Sequence, residues 1–207
     1  MSALKLPPRG LYAITDSKLL AGHLLPAVAA ALEGGVVIVQ YRNKSGQTGR
    51  HWHEAEGLLE LCRQYKVPLL INDDVDLAAG IGADGVHLGR SDGSIAAARA
   101  RLGPDAIIGA TCNDSLGFAS EAATQGASYL AFGAMYPSST KPGTVQAPLE
   151  HLRKAKRFNL PVVAIGGITA DNAAPLIAAG ADNVAVISDL WTAADITARA
   201  REFSRLF

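Results

Sequence analysis

Cysteine occurs only at positions 62 and 112. Two are too few for a disulfide framework, so reduced thiols are expected. Cys62 falls in a helical apolar pattern and Cys112 at a strand end; without a firm base partner, both read as inert. Neither sign of charge is in excess, with 19 Lys plus Arg against 19 Asp plus Glu. That balance excludes a general basic field for a nucleic-acid backbone and confines anion binding to a local site. No stretch approaches the roughly 20 apolar residues of a membrane span, and the opening Met1-Ser2-Ala3-Leu4-Lys5-Leu6-Pro7-Pro8 lacks the apolar region of a secretory signal. The expectation is a cytoplasmic protein with no membrane and no nucleic-acid partner. No Ser-His-Asp or zinc-ligand pattern stands out. His51 and His53, two apart at a helix start, read as surface residues. His87, inside a strand, reads as a satisfied interior histidine. Trp52 and Trp191 are expected at helix edges.

What remains is an ordinary globular composition, 49% hydrophobic and 18% charged, over 207 residues. That length suits one domain, taken as residues 1–207. Apolar runs bounded by breakers predict eight strands: Leu11–Thr15, Val36–Tyr41, Pro68–Ile71, Gly85–Leu88, Ala106–Ala110, Tyr129–Gly133, Pro161–Ile165 and Asn183–Ile187. Between them helical patterns cover Leu24–Glu33, Trp52–Gln64, Val75–Ala79, Ser94–Arg101, Ser115–Gln125, Leu149–Arg157, Asp171–Ala178 and Ala193–Arg205. Glycine follows many helices, as at Gly34-Gly35, Gly126 and Gly180, where a left-handed residue would end the helix. Eight βα units without a reversal point favour an α/β fold of the closed (β/α)₈ TIM-barrel type over an open doubly wound sheet.

In such barrels the site lies at the carboxyl ends of the strands, where this chain concentrates its polar clusters. Gln40, Arg42 and Lys44 alternate along the second strand and can share one face, a set suited to diphosphate or simply to a solvated strand end. Asn72, Asp73 and Asp74 end the third strand and Asp92 follows the fourth. Carboxylates from adjacent strands can share Mg²⁺, or each can cap the helix that follows. Thr111 ends the fifth strand and can offer a hydroxyl to a ligand, while Asn113 or Ser115 can cap the next helix. Tyr136-Pro137-Ser138-Ser139-Thr140-Lys141-Pro142-Gly143-Thr144 reads as a loop, plain or able to close over a phosphate. Gly166-Gly167 and Ile187-Ser188 follow the last two strands, where barrels often bind phosphate; a tight turn with Thr169 or Asp171 as cap is the alternative.

With these residues in view, the chain resembles the thiamine-phosphate synthase family, also called thiamine-phosphate pyrophosphorylase. The resemblance rests on Tyr12-Ala13-Ile14-Thr15-Asp16, Gln40-Tyr41-Arg42-Asn43-Lys44, Ile71-Asn72-Asp73-Asp74-Val75, Gly85-Val86-His87-Leu88-Gly89, Tyr136 to Lys141, Ile165-Gly166-Gly167-Ile168 and Val186-Ile187-Ser188. It implies an enzyme joining 4-amino-2-methyl-5-hydroxymethylpyrimidine diphosphate to a thiazole phosphate, plain or carboxylated, with release of diphosphate and formation of thiamine phosphate. It further implies that Gln40, Arg42, Lys44 and Asn72, with Tyr41 and Asn43 in the same run, hold the pyrimidine diphosphate. Asp73 and Asp92 would hold Mg²⁺, and Thr111 would contact the pyrimidine. Ser138, Ser139, Thr140, Gly167, Ile187 and Ser188 would meet the thiazole phosphate. Lys141, with Arg42 and Lys44, would act on the departing diphosphate. Several positions depart from the family pattern: Asn43 stands for a common acidic residue, Ala134 for a frequent Pro, and Thr111 and Ser138 for other hydroxyl residues. Asn113 stands where His is frequent. That histidine matters to the related thiazole tautomerases, so its absence beside both metal carboxylates favours the synthase. The competing readings are such a tautomerase, a Schiff-base aldolase or isomerase using Lys44 or Lys141, and a non-catalytic precursor-binding protein.

Overall fold

The structure is a computed structural model describing residues 9–46, 48–137 and 145–207. Eight parallel strands close into a barrel in sequence order. They are β1 (Gly10–Ile14), β2 (Ile38–Tyr41), β3 (Leu69–Asn72), β4 (Gly85–Leu88), β5 (Ile107–Asn113), β6 (Tyr129–Phe132), β7 (Val162–Ile165) and β8 (Asn183–Val186). The closing pair sets Gly10 to Ala13 against Asn183 to Val186, and closure leaves no unpaired sheet edge.

Two apolar layers follow from strand alternation. Tyr12, Ile14, Ile38, Leu70, Ile107, Tyr129, Ala131, Val163 and Ala185 fill the barrel interior. Their outward neighbours, among them Leu11, Val39, Leu69, Ile71, Val86, Ile108 and Leu130, pack under the helices. Those helices are α1 (Leu24–Glu33), α2 (Thr48–Tyr65), α3 (Val75–Ile81), α4 (Ile95–Leu102), α5 (Leu116–Thr124), α6 (Leu149–Ala155), α7 (Ala174–Ala178), α8 (Ser188–Trp191) and α9 (Ile196–Ser204). Fully burying a Leu or Ile side chain is worth about 1.5–3 kcal/mol, so the two layers dominate the stability of the barrel.

Expected glycine stops are in place, with Gly35, Gly126 and Gly180 at φ 98°, 91° and 107°. Most boundaries fall within two residues of expectation, helix α2 begins four residues earlier, at Thr48, and three further elements differ in ways that bear on the site or the packing. Strand β5 runs to Asn113 instead of stopping at Ala110, with its pairing to β6 shifting between Thr111 and Asn113. Helix α7 begins at Ala174 and not at Asp171, because Asn172 Oδ1 accepts from the Thr169 N–H and holds that stretch as a turn. The helix expected over Ala193–Arg205 is α9, capped by Asp195, and a separate four-residue α8 precedes it. Four residues are too few to show a helical period. The buried indole of Trp191 pins α8 by donating to the Ile14 carbonyl at 2.6 Å.

The amino end of the barrel is a structural face. Arg99, on α4, donates to the carbonyls of Gly103, Pro104, Ala106 and Gly126 and to Ser128 Oγ. One guanidinium thereby ties the turns around β5 and β6. No helix among the described residues is long and apolar enough to cross a membrane.

Candidate active site

At the carboxyl ends of the strands lies a cavity of about 520 Å³ whose lining includes Gln40, Arg42, Lys44, Asn72, Asp73, Asp92 and Thr111. Strand alternation explains how β2 contributes. Gln40, Arg42 and Lys44 face the cavity, whereas Tyr41 and Asn43 turn to the other side. There the Tyr41 hydroxyl donates to Glu54 Oε2 at 2.8 Å, and Asn43 Nδ2 donates to the same oxygen and to the Tyr41 hydroxyl. The expectation that Tyr41 and Asn43 line the ligand site is corrected: a period of two places them behind it. His51, expected at the surface, is half-buried with its ring edge-on to Tyr41.

Arg42 is held from behind. Its backbone N–H donates to Thr15 Oγ1 at 2.8 Å, the Thr15 hydroxyl returns a bond to the Arg42 carbonyl, and the guanidinium lies 3.6 Å from Asp16. Thr15 and Asp16 thus fix the end of β2, a role visible only once β1 and β2 are paired.

The three aspartates divide between capping and the cavity. Asp74 caps α3 by accepting from the Leu77 N–H at 2.8 Å, and Ser94 caps α4. Asp73 and Asp92 are therefore released from capping. Asp73 adopts φ 63°, uncommon for a residue with a side chain. Its Oδ2 accepts from Lys44 Nζ and Asn72 Nδ2, each at 2.6 Å. Asp92 Oδ2 accepts from the Gly89 N–H at 3.0 Å.

Among the described residues no group of three or more His, Cys, Asp or Glu converges on a metal position. Two carboxylates on adjacent strand ends, both facing the cavity, are nevertheless the donor set that suits a hard cation completing its shell with phosphate oxygens and water. Lys44, already drawn to Asp73, shows that this carboxylate attracts a cation.

Below the mouth His87 is buried as expected, but it also lines the cavity. Its Nε2 lies 2.7 Å from Thr111 Oγ1 and its Nδ1 2.7 Å from the Tyr129 hydroxyl. Burial lowers its pKa to about 4 against a smaller opposing pull from Asp92. Burial also pushes the Tyr12 and Tyr129 phenols up. Ser115, not Asn113, caps α5, and Asn113 faces the cavity at φ 51°. Both thiols are buried and pushed up to about 12, which matches the inert reading.

Gly166 and Ile187 line the cavity; Gly167 sits beside them at φ 64°, and Ser188 opens α8. Thr169 and Asp171 cap no helix, so the turn after β7 is built by Asn172, which also donates to the Gly167 carbonyl at 3.0 Å. A side chain on Gly167 would run into the backbone carbonyls of Tyr136 and Pro137. The expected Ser138, Ser139, Thr140 and Lys141 lie outside the described residues.

Comparison with known proteins agrees with this geometry. The family model described as thiamine monophosphate synthase matches residues 11–190. A thiamine-phosphate synthase of Methylobacillus flagellatus is 56% identical, covering 100% of both chains. The solved thiamine phosphate pyrophosphorylase of Pyrococcus furiosus superposes with a TM-score of 0.86 at 37% identity, covering 95% of this chain and 94% of its own. The protein of the same name from Bacteroides thetaiotaomicron, at 18% identity and TM-score 0.69 over 95% and 96% of the two chains, shares the fold. The barrel, the clustered strand ends and these matches together place the chain in the thiamine monophosphate synthase family.

Proposed function

We propose that this cavity joins 4-amino-2-methyl-5-hydroxymethylpyrimidine diphosphate to a thiazole phosphate, giving thiamine phosphate and diphosphate. Family membership makes the chain a transferase of thiamine biosynthesis; the substrates and residue roles are our reading. The observation that carries it is the convergence of Gln40 at the end of β2, and of Arg42 and Lys44 just after it, with Asp73 and Asp92 from beyond the next two strands on one cavity. The bond that breaks joins the pyrimidine methylene carbon to diphosphate oxygen, and the thiazole nitrogen supplies the electron pair for the new C–N bond.

Charge accumulates on the departing oxygen, so cations preset around it lower the barrier more than they strengthen ground-state binding. Arg42, braced by Thr15 and Asp16, offers a fork to the diphosphate, and Lys44 offers a point charge. Lys141 is assigned the same task. Gln40, Asn72 and Thr111 orient the pyrimidine. Ser138, Ser139, Thr140, Gly167, Ile187 and Ser188 are assigned to the thiazole phosphate. Asp73 and Asp92 would hold Mg²⁺, which when bound neutralises diphosphate charge. The remaining features of the reading are one catalytic domain over residues 1–207, a cytoplasmic location, and no nucleic-acid or membrane partner.

A Schiff-base role for Lys44 is disfavoured by its exposure and by its ion pair with Asp73. Such a lysine is normally desolvated and free of a carboxylate partner. The test of the synthase reading is formation of diphosphate and thiamine phosphate from the two purified substrates, with Mg²⁺ and then with EDTA. Metal-dependent appearance of both products is expected. Binding of both substrates without product would transfer the protein to the precursor-binding reading.

A further inference from the structure

Beneath the mouth an unbroken line of hydrogen bonds crosses the barrel from Gln40 to Thr111. Gln40 Nε2 donates to the Tyr12 hydroxyl at 2.5 Å, and the Tyr12 and Tyr129 hydroxyls are 2.8 Å apart. Tyr129 then meets His87 Nδ1, and His87 Nε2 meets Thr111, both at 2.7 Å. The two ends and His87 line the cavity, while both tyrosines are buried. Room for the line is built into β5. Gly109 pairs with both His87 and Tyr129, and any side chain there would enter the Tyr129 ring.

Each interior link has one proton to give, so fixing one sense fixes them all. With Gln40 Nε2 as the donor to the Tyr12 oxygen, the sense that leaves no interior proton unused has Tyr12 donating to Tyr129, Tyr129 to His87 Nδ1, and His87 Nε2 to Thr111, whose own hydroxyl proton is left for the cavity. The distances between Tyr12 and Tyr129 and at both His87 nitrogens fit either sense, so the Gln40 amide sets it. At the other end Gln40 Oε1 has no partner among the described residues and serves as the acceptor there. Reversing Gln40 alone would set two acceptors against each other inside the barrel and leave a buried group unmet.

We propose that Tyr12, Tyr129 and His87 are positioning residues that hold Gln40 as an acceptor and Thr111 as a donor, so that the floor of the cavity selects a ring bearing an amino group at one edge and an acceptor nitrogen at another. The inference rests on the synthase reading for the identity of that ring. It adds to it a mechanism by which an aminopyrimidine is preferred over its 4-oxo counterpart, whose amide-like edge presents the opposite pattern. The contribution is made through Gln40 and Thr111; neither tyrosine needs to touch the substrate.

Two measurements decide it. In the ligand-free protein, nitrogen-proton correlation spectra should show His87 in a single neutral tautomer with the proton on Nε2; a proton on Nδ1, or a mixture, would overturn the stated sense of the line. Tyr129→Phe and Tyr12→Phe each remove one hydroxyl and keep the ring. Both are expected to lower the ratio of kcat/KM for the 4-amino over the 4-oxo pyrimidine diphosphate at least tenfold. A ratio unchanged in the folded variants, even with reduced Tm, would make the line merely structural. If the parent protein turned over neither ring, the synthase reading would fall, while the tautomer spectrum, which needs no substrate, would still decide the line itself.

Discussion

Lys44 Nζ lies 2.6 Å from Asp73 Oδ2, joining the end of β2 to the end of β3 across the mouth of the barrel. Asp73 holds its left-handed backbone there, while its neighbour Asp74 has turned away to cap α3. Adjacent carboxylates therefore have separable roles.

Asp73→Asn is expected to lower kcat/KM by about two to three orders of magnitude, the scale of losing one strong electrostatic contact at a reacting centre. Asp74→Ala should leave the rate near that of the parent and cost about 1 kcal/mol of stability through the lost cap. Steady-state kinetics together with urea denaturation of both variants checks the division. Equal kinetic damage from both would refute it.

His87 makes the fold sensitive to mild acid. Its folded pKa is about 4, against about 6.5 in an unfolded chain. Between those values the unfolded chain binds a proton that the folded one excludes, so stability is full above about pH 6.5 and declines as pH falls toward 4. At pH 5 the loss is about 2 kcal/mol. Urea unfolding at pH 7.5 and pH 5 should show this loss, and His87→Asn should remove that part of the pH dependence.

Gly109→Ala should overpack the barrel interior, because the added methyl would meet the Tyr129 ring. Forced repacking of this kind costs about 1–3 kcal/mol. The expected result is a lower denaturation midpoint with an unchanged denaturant slope. A parent-like midpoint would show that the ring moves aside freely.

Cys62 and Cys112 should resist alkylation by a maleimide at pH 7.5 in the native protein and react fully in denaturant, since burial raises both thiols to about 12. Rapid native labelling of Cys112 would contradict its burial under α5.

The order of the eight strands, the outward and inward alternation along each, and the concentration of cations, carboxylates and glycines at strand ends all belong to the sequence, because each is a local pattern of period two or a break between patterns. The same period already contained the correction at Tyr41 and Asn43, which alternate with Gln40, Arg42 and Lys44 and so must face away. The division of labour among Asp73, Asp74 and Asp92 was not legible: any of them can cap a helix, and the backbone turn at each strand end decides which does. Helix α8 was too short to carry a period, and its place depends on Trp191 reaching the Ile14 carbonyl from 177 residues away. The line from Gln40 to Thr111 lay furthest from view. Its members come from β1, β2, β4, β5 and β6, and only barrel closure, with Gly109 leaving space for one tyrosine ring, brings their donors and acceptors within hydrogen-bond reach. Local chemistry determined which groups stand at the strand ends; tertiary packing decided which of them meet, because proximity across a barrel is set by strand register and side-chain volume and not by separation along the chain.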